Sequence, residues 1–306
     1  MNIIVRMMGG LGNQIFIYAF VRQLLEQYPN ADVFFDLRWF DKSDIRSYEL
    51  YKYNLDKRIH ILEINKQNFG AIVWFDITRT LYKIFEKIFV NFRVQKGLTW
   101  LEDSFSRLAS MGYCYNYQKY SNVQLPDKKY VYVYGYFQDY RYLEQVKRYF
   151  KDELKLKVLS EKYQDIISQI KSPNCAISIR WGEDYVKCGW SICSKKYYLD
   201  GINCVKSKIQ CEQIIVFADE IEKVKASHIF ENEDVLYIEG LSPSESLDML
   251  MKCQNYVVSN SSFSILGVLL SNEENPIVIA PKHWKKDKLV YELNLYRSSM
   301  YVIENM

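Results

Sequence analysis

Apolar positions along the chain come in two rhythms. Short apolar runs occur at Asn2–Met7, Asp32–Asp36 and Val131–Tyr136, and again at Cys175–Ile179, Ile214–Phe217, Val235–Ile238, Tyr256–Ser259 and Ile277–Ala280. Between them lie segments of helical period. Ile15, Phe16, Ala19, Phe20 and Leu24 predict one side of a first helix, and Leu143, Val146 and Phe150 mark a later one. Further helices are predicted at Lys195–Ser207, Glu220–His228, Ser244–Cys253 and Ser262–Leu270. Continuous apolar strands alternating with helices bury both faces of a parallel sheet, so the pattern predicts an α/β protein with doubly wound sheets. A chain of 306 residues is long enough for two such domains. The charged, proline-free stretch Lys151–Lys171 is the expected junction, giving domains 1–155 and 156–306.

From about residue 40 to 130 the pattern loosens and tyrosine and phenylalanine dominate. Within it, Ile72–Phe92 carries Trp74, Leu81, Ile84, Phe85, Ile88 and Phe89 at helical spacing. That stripe predicts a helix whose apolar face enters the core. The same pattern also suits peripheral contact with a membrane.

Composition narrows the class. Hydrophobic residues make up 49% and charged residues 25%, which excludes a disordered or fibrous chain. Forty Lys and Arg against 37 Asp and Glu leave a net charge of +3, too balanced for electrostatic binding of nucleic acid. An anionic ligand must be met by a local site. The seven cysteines form no Cys-x-x-Cys pair, and the three histidines lie far apart in sequence, so the thiols read as reduced and buried rather than zinc-binding. The start, Met-Asn-Ile-Ile-Val-Arg, lacks the plan of a signal peptide, and no apolar run reaches about 18 residues. A cytoplasmic protein is expected, with the inner face of the membrane as a possible peripheral station. Nothing in the pattern sets an oligomeric state.

In doubly wound sheets ligands bind beyond the carboxyl ends of the strands, at topological switch points. Four loops there carry chemistry. Gly9-Gly10-Leu11-Gly12-Asn13-Gln14 turns a strand into a helix start, suited to phosphate or sugar hydroxyls. As a dinucleotide fingerprint, with Asp36 as the ribose acid, it fails because position 15 is Ile rather than Gly or Ala. The second loop is Arg180-Trp181-Gly182-Glu183-Asp184-Tyr185. Arg180 suits a diphosphate, Trp181 a base or sugar ring, and Glu183 or Asp184 a base, while a surface Arg–Asp pair with a packing tryptophan is the plainer alternative. Asp219-Glu220 begins a helix, where an acid is also an ordinary cap. Finally, Ser259-Asn260-Ser261-Ser262-Phe263-Ser264 gathers hydroxyls, an amide and helix N-terminal N–H groups into a neutral phosphate cradle. No loop carries the Asp-x-Asp pair that would hold a divalent metal on a diphosphate, so no metal is expected.

These residues resemble the inverting α-1,2-fucosyltransferases of glycosyltransferase family 11. Met8–Ala19 resembles that family's Gly-Gly-Leu-Gly-Asn-Gln signature, and Gly135-Tyr136-Phe137-Gln138 its Gly-Tyr-Phe-Gln motif. Phe217–Val224 and Met251–Ser264 are similar to two further elements, in order along the chain, and Pro281 and Trp284 fall where the family ends its next strand. The resemblance implies a GT-B fold of two Rossmann-like domains facing each other across a cleft. It implies GDP-β-L-fucose as donor, a glycan acceptor offering the 2-hydroxyl of a galactoside, inversion at the anomeric carbon, and no cofactor. By resemblance, Gly10, Asn13 and Gln14 approach the donor from the first domain. The second holds it through Arg180, Asp219, Asn260, Ser261, Ser262 and Phe263. Arg180 stabilises the leaving diphosphate, and Asp184 is the first candidate base, ahead of Glu183 and Asp36. The chain departs from the family's His-x-Arg-Arg-Gly-Asp-Tyr motif: Ser178 replaces the histidine, Trp181 the second arginine, and one residue is inserted before Asp184. Ile265-Leu266-Gly267 stands where the family usually has Trp-Trp-Gly. These departures leave open a GT-B enzyme using another nucleotide sugar, or a nucleotide- or glycan-binding relative without turnover.

Overall fold

The computed structural model describes residues 1–43, 45–91, 105–115, 120, 122–190, 192–284 and 294–306, with 89–91 as backbone only. It divides into two compact units, Met1–Leu154 and Lys155–Met306.

The first unit runs β1 (Asn2–Arg6), α1 (Leu11–Gln27), β2 (Asp32–Asp36), β3 (Ile59–Ile61), α2 (Phe69–Asn91), β4 (Tyr113–Tyr115), β5 (Tyr130–Tyr134) and α3 (Tyr140–Glu153). Its sheet is parallel in the order β3-β2-β1-β5-β4. The second unit begins with α4 (Glu161–Ile167), β6 (Asn174–Ile179), α5 (Glu183–Lys187), α6 (Lys195–Lys206), β7 (Gln213–Ala218) and α7 (Ile221–Lys225). It continues with β8 (Val235–Tyr237), α8 (Pro243–Met251), β9 (Asn255–Val257), α9 (Ser262–Leu270), β10 (Val278–Pro281) and β11 (Tyr301–Ile303). Its sheet, also parallel, has the order β11-β10-β9-β6-β7-β8. From β6 the chain winds outward to β7 and β8, then crosses to β9 and winds the other way, the doubly wound order of a Rossmann unit. The switch points are therefore β6/β9 in the second unit and β1/β5 in the first.

The five apolar runs of the second half all form strands; burial on both faces leaves no polar alternation to blur β6, β7, β9 and β10, while β8 is a half-buried edge strand. Three helices differ from expectation. The segment predicted as Glu220–His228 is helical only over Ile221–Lys225, and His228 lies in the left-handed region at φ 57°. Helix α1 is buried all round rather than on one side. Phe20 stacks on Phe137 at 3.9 Å and meets Tyr142 edge-on, so this side of the helix is covered as fully as its sheet side. Arg22 reaches Glu153 at 2.9 Å, and Tyr18 donates to the same carboxylate.

Helix α2 is turned about relative to expectation. Ile72, Phe75 and Tyr82 face inward, with Phe75 stacked on Tyr132 at 4.9 Å. The stripe expected in the core is outside: Trp74 is 55% exposed, Leu81 50% and Ile84 49%. Phe89 and Phe92, from the same expected segment, lie outside the described side chains. Both sides of this helix are apolar, so periodicity alone did not choose between them. The tyrosines of β4 and β5 accept the aromatic side, and Asp76 must turn inward to meet Arg6 and Arg38, each at 2.8 Å.

At the start of α8, Ser242 and Glu245 form a reciprocal capping box, and Glu245 also accepts the backbone N–H of Ser160 at 2.8 Å. Burial alone would raise the Glu245 carboxyl, but the bonds from Ser160 and Ser242 outweigh it and hold the pKa at about 2. A depressed acid stabilises the fold above its unfolded pKa and loses that contribution as pH falls toward the folded value. Glu245→Ala is expected to cost about 1 kcal/mol at pH 7. The gap from wild type should shrink between pH 5 and pH 3 in urea titrations; a gap that is constant with pH would contradict the assignment.

Candidate active site

Strands β6 and β9 are neighbours at the second switch point, and their exits carry Arg180 and the Asn260–Ser262 segment. Arg180 is largely buried and forks between two acids, reaching Asp184 Oδ2 at 2.7 Å and Asp219 Oδ2 at 3.0 Å. Its guanidinium carbon lies 4.4 Å from the centre of the Tyr185 ring. Asp219, at the exit of β7, also accepts the backbone N–H groups of Trp181 at 3.0 Å and Gly182 at 2.8 Å. A Cβ on Gly182 would fall 2.3 Å from Asp219 Oδ2, so only glycine lets the loop close on this carboxylate. The two acids expected at the donor are thus both partners of one arginine. Asp184 is the more exposed of the two, at 33% against 17%.

The Tyr185 hydroxyl donates to the Asn260 carbonyl at 3.3 Å. Burial pushes the Tyr185 phenol up, against the lowering effects of Arg180 and a hydrogen bond with Ser261. Ser261 is the N-cap residue of α9, with extended backbone and no side-chain bond to the helix, and the first turn contains no acid. The leading N–H groups of a helix lack intrahelical partners and carry the positive end of its dipole. Arg180, Tyr185 and the start of α9 therefore join into one corner, where the two acids are held by Arg180 and the leading N–H groups of the helix face no acid of their own, with Ser262 and Phe263 half-buried in the first turn.

Several expected residues act from behind this surface. Asn260 is fully buried; its amide donates to the carbonyls of Trp190 (2.8 Å) and Trp284 (2.9 Å), and its oxygen accepts from Cys193 Sγ at 3.5 Å. It fastens three segments together rather than pointing at a ligand. Trp181, expected to stack on a base or sugar, turns into the core: Nε1 donates to the Cys193 carbonyl at 3.1 Å and the ring meets Tyr198 edge-on. An apolar ring at that position packs where an arginine would have to remain solvated. Ser178 shares a hydrogen bond with Ser264 at 2.6 Å, and Ser264 with Ser259 at 2.9 Å, a buried row of hydroxyls. Glu183 is exposed and pairs with Lys187. Two residues of this corner received no role from the motifs, Tyr185 and Lys223. Lys223 Nζ donates to the Trp181 carbonyl at 3.1 Å and brings a cation to the loop that lacks the second arginine. Its place four residues after Asp219, one turn into α7, was the available clue.

In the first unit, Gly9 takes a left-handed φ of 77° and Gly10 precedes α1. Gln14 is wholly internal: it donates to the carbonyls of Gly9 (3.0 Å) and Ser47 (2.8 Å) and accepts from the Glu49 N–H at 2.9 Å. Asn13 is half-buried and accepts from Gln138 at 2.7 Å, joining the exits of β1 and β5. Beside these exits an open cavity of about 610 Å³ is lined by Arg6, Arg38, Trp39, Lys42, Asp76 and Arg79. Asp36 is buried at its edge between Arg6 (2.8 Å) and Arg38 (2.7 Å), engaged as an ion partner rather than standing as a base. The buried Nε atoms of Arg6 and Arg79 have no hydrogen-bond partner.

The family model of glycosyl transferase family 11 matches residues 2–304. The chain belongs to that family. This family-11 protein is 26% identical over 294 residues to an α-1,2-colitosyltransferase of Escherichia coli, covering 92% of each chain. It is 25% identical over 297 residues to the O-antigen biosynthesis glycosyltransferase WbnK of Escherichia coli, covering 90% of this chain and 92% of WbnK. Among solved structures, the NodZ α-1,6-fucosyltransferase soaked with GDP-fucose gives a TM-score of 0.52 at 11% identity, covering 88% of this chain and 92% of that one. The fucosyltransferase NodZ from Bradyrhizobium gives 0.51 at 10% identity, over 88% and 93%. At such identity the likeness is one of fold, the GT-B fold, and each unit of this chain is Rossmann-like. Family membership makes this protein a glycosyltransferase.

Asn260→Ala strips the carbonyls of Trp190 and Trp284 of a buried donor. It should destabilise the protein by about 1–3 kcal/mol in urea unfolding; a midpoint equal to wild type would remove Asn260 from the architecture of the site.

Proposed function

We propose that the protein is an inverting α-1,2-fucosyltransferase that moves L-fucose from GDP-β-L-fucose to the 2-hydroxyl of a galactoside in a surface glycan or its precursor. The observation that carries this reading is that Tyr185 links Arg180 to the N-terminus of α9 at the β6/β9 switch point. The acceptor hydroxyl attacks the anomeric carbon as the bond to the β-phosphate breaks, through an oxocarbenium-like transition state. Negative charge develops on the departing diphosphate, and donors fixed in advance at that place lower the barrier. Arg180, Lys223 and the leading N–H groups of α9 supply them without a metal.

The ion pairs suggest how a base becomes available. A diphosphate competes for the Arg180 fork, and Asp184 is the more exposed partner, whereas Asp219 is also tied to two backbone N–H groups. In this reading the donor displaces Asp184 from Arg180 and frees its carboxylate to take the acceptor's proton, a contribution of about 10²–10⁴-fold. The cavity beside β1 offers Trp39 for stacking and alternating arginines and acids for hydroxyls, a lining suited to the acceptor sugar.

The α-1,2-colitosyltransferase relative favours a second reading, in which the same machinery transfers a different sugar. A panel of GDP-sugars separates the two, since the faster donor names the substrate. Arg180→Ala should lower transfer by about 10²-fold or more, by analogy with loss of one anion-stabilising donor. Near-normal turnover of a folded Arg180→Ala protein would exclude Arg180 from the mechanism.

A further inference from the structure

Helix α2 presents to solvent a face that contradicts the ordinary economy of a soluble protein. Trp74, Ile77, Leu81, Ile84, Phe85 and Ile88 are each 43–55% exposed and lie together on the side opposite Ile72, Phe75 and Tyr82. A contiguous apolar face of this extent marks an interaction surface. The charges of the helix are sorted as well. Asp76 turns inward to Arg6 and Arg38, and Glu86 is drawn in beside Tyr134 and Tyr136. Only lysines, Lys83 and Lys87, are exposed charges along the helix, one turn apart on the flank between its inward and its apolar exposed side.

We infer that this face of α2 seats the protein on an anionic phospholipid surface, with the helix lying in the interface plane. An apolar stripe carrying tryptophan, phenylalanine and leucine, bordered by lysine and stripped of acids, is the pattern of an interfacial helix. Among the described residues no helix is long and apolar enough to cross a membrane, and the charges of α2 hold it to the surface. A second copy fits less well. Two-fold pairing places the same patch against itself, so the lysines of both copies border one interface with no exposed acid of α2 to answer them. An anionic headgroup layer answers them directly. The same helix lends Asp76 and Arg79 to the cavity beside β1 from its opposite side.

Flotation of the whole protein with vesicles tests the inference. Wild type should rise with mixed phosphatidylglycerol–phosphatidylcholine vesicles, more weakly with phosphatidylcholine alone, and less as salt increases. L81E/I84E should lower partitioning by at least about tenfold, since each loses the burial of a large apolar side chain. Its melting temperature and its turnover of a soluble acceptor should stay at wild-type values. K83E/K87E, which leaves the apolar face whole, should lose the preference for anionic vesicles by about tenfold or more. Wild type that stays with the unbound fraction in every vesicle overturns the inference. So does a lipid-free dimer, seen by sedimentation velocity, that L81E/I84E converts to monomer, because the face would then belong to a second copy.

Discussion

The Asp219 carboxylate is the contact on which the corner at the β6/β9 switch point depends. From the exit of β7 it takes two backbone N–H groups of the loop that leaves β6, and its second role is to pair with Arg180. Without it the Trp181–Gly182 turn loses both of its hydrogen-bonded anchors and Arg180 loses its most buried partner. A carboxylate that receives several hydrogen bonds is a rigid object, whereas an arginine on a free loop would spend entropy each time it met a phosphate. The site is therefore built by fixing the loop first and letting the arginine fork project from it. Gly182 belongs to the same device, because any side chain there would occupy the space of the carboxylate.

The first unit repeats the tactic with neutral groups. Gln14 ties the loop after β1 to the Ser47–Glu49 segment through three hydrogen bonds, and Asn13 is held by Gln138 from the loop after β5. Charge appears around the cavity next to them, where Arg6, Arg38 and Arg79 share Asp36 and Asp76. Burial lowers the Arg6 guanidinium despite the attraction of Asp36, so this cluster relies on its acids being present together. Asp76 ties that cluster to α2, and its inward turn is one reason the helix shows solvent the face that it does.

The second unit was legible in the sequence because its strands are apolar on both faces and its helices begin at polar caps such as Ser194, Ser242 and Ser261. The loops at its switch point were legible too, as were the motifs that tie the chain to family 11. What sequence could not show is which way each polar side chain points. The partners of Gln14 are at Ser47 and Glu49, and those of Asn260 at Trp190 and Trp284, so the burial of these amides follows from contacts remote in the chain. For Trp181 the sequence left stacking on a ligand and packing beside an Arg–Asp pair both open, and the partner that decides for packing, the Cys193 carbonyl, lies on a side of the fold the motif does not contain. Helix α2 failed differently: a helix apolar on both sides has no unique inward face until the tyrosines of the sheet and the buried arginines choose one.

The most direct test of the central claim is product formation from GDP-fucose and a lactose-type acceptor, with EDTA present, read by mass and by linkage. The account predicts an α-1,2-linked fucosyl product whose formation is indifferent to the chelator. A product of another linkage, turnover that stops with EDTA, or no transfer from GDP-fucose under conditions where another GDP-sugar is used would contradict it.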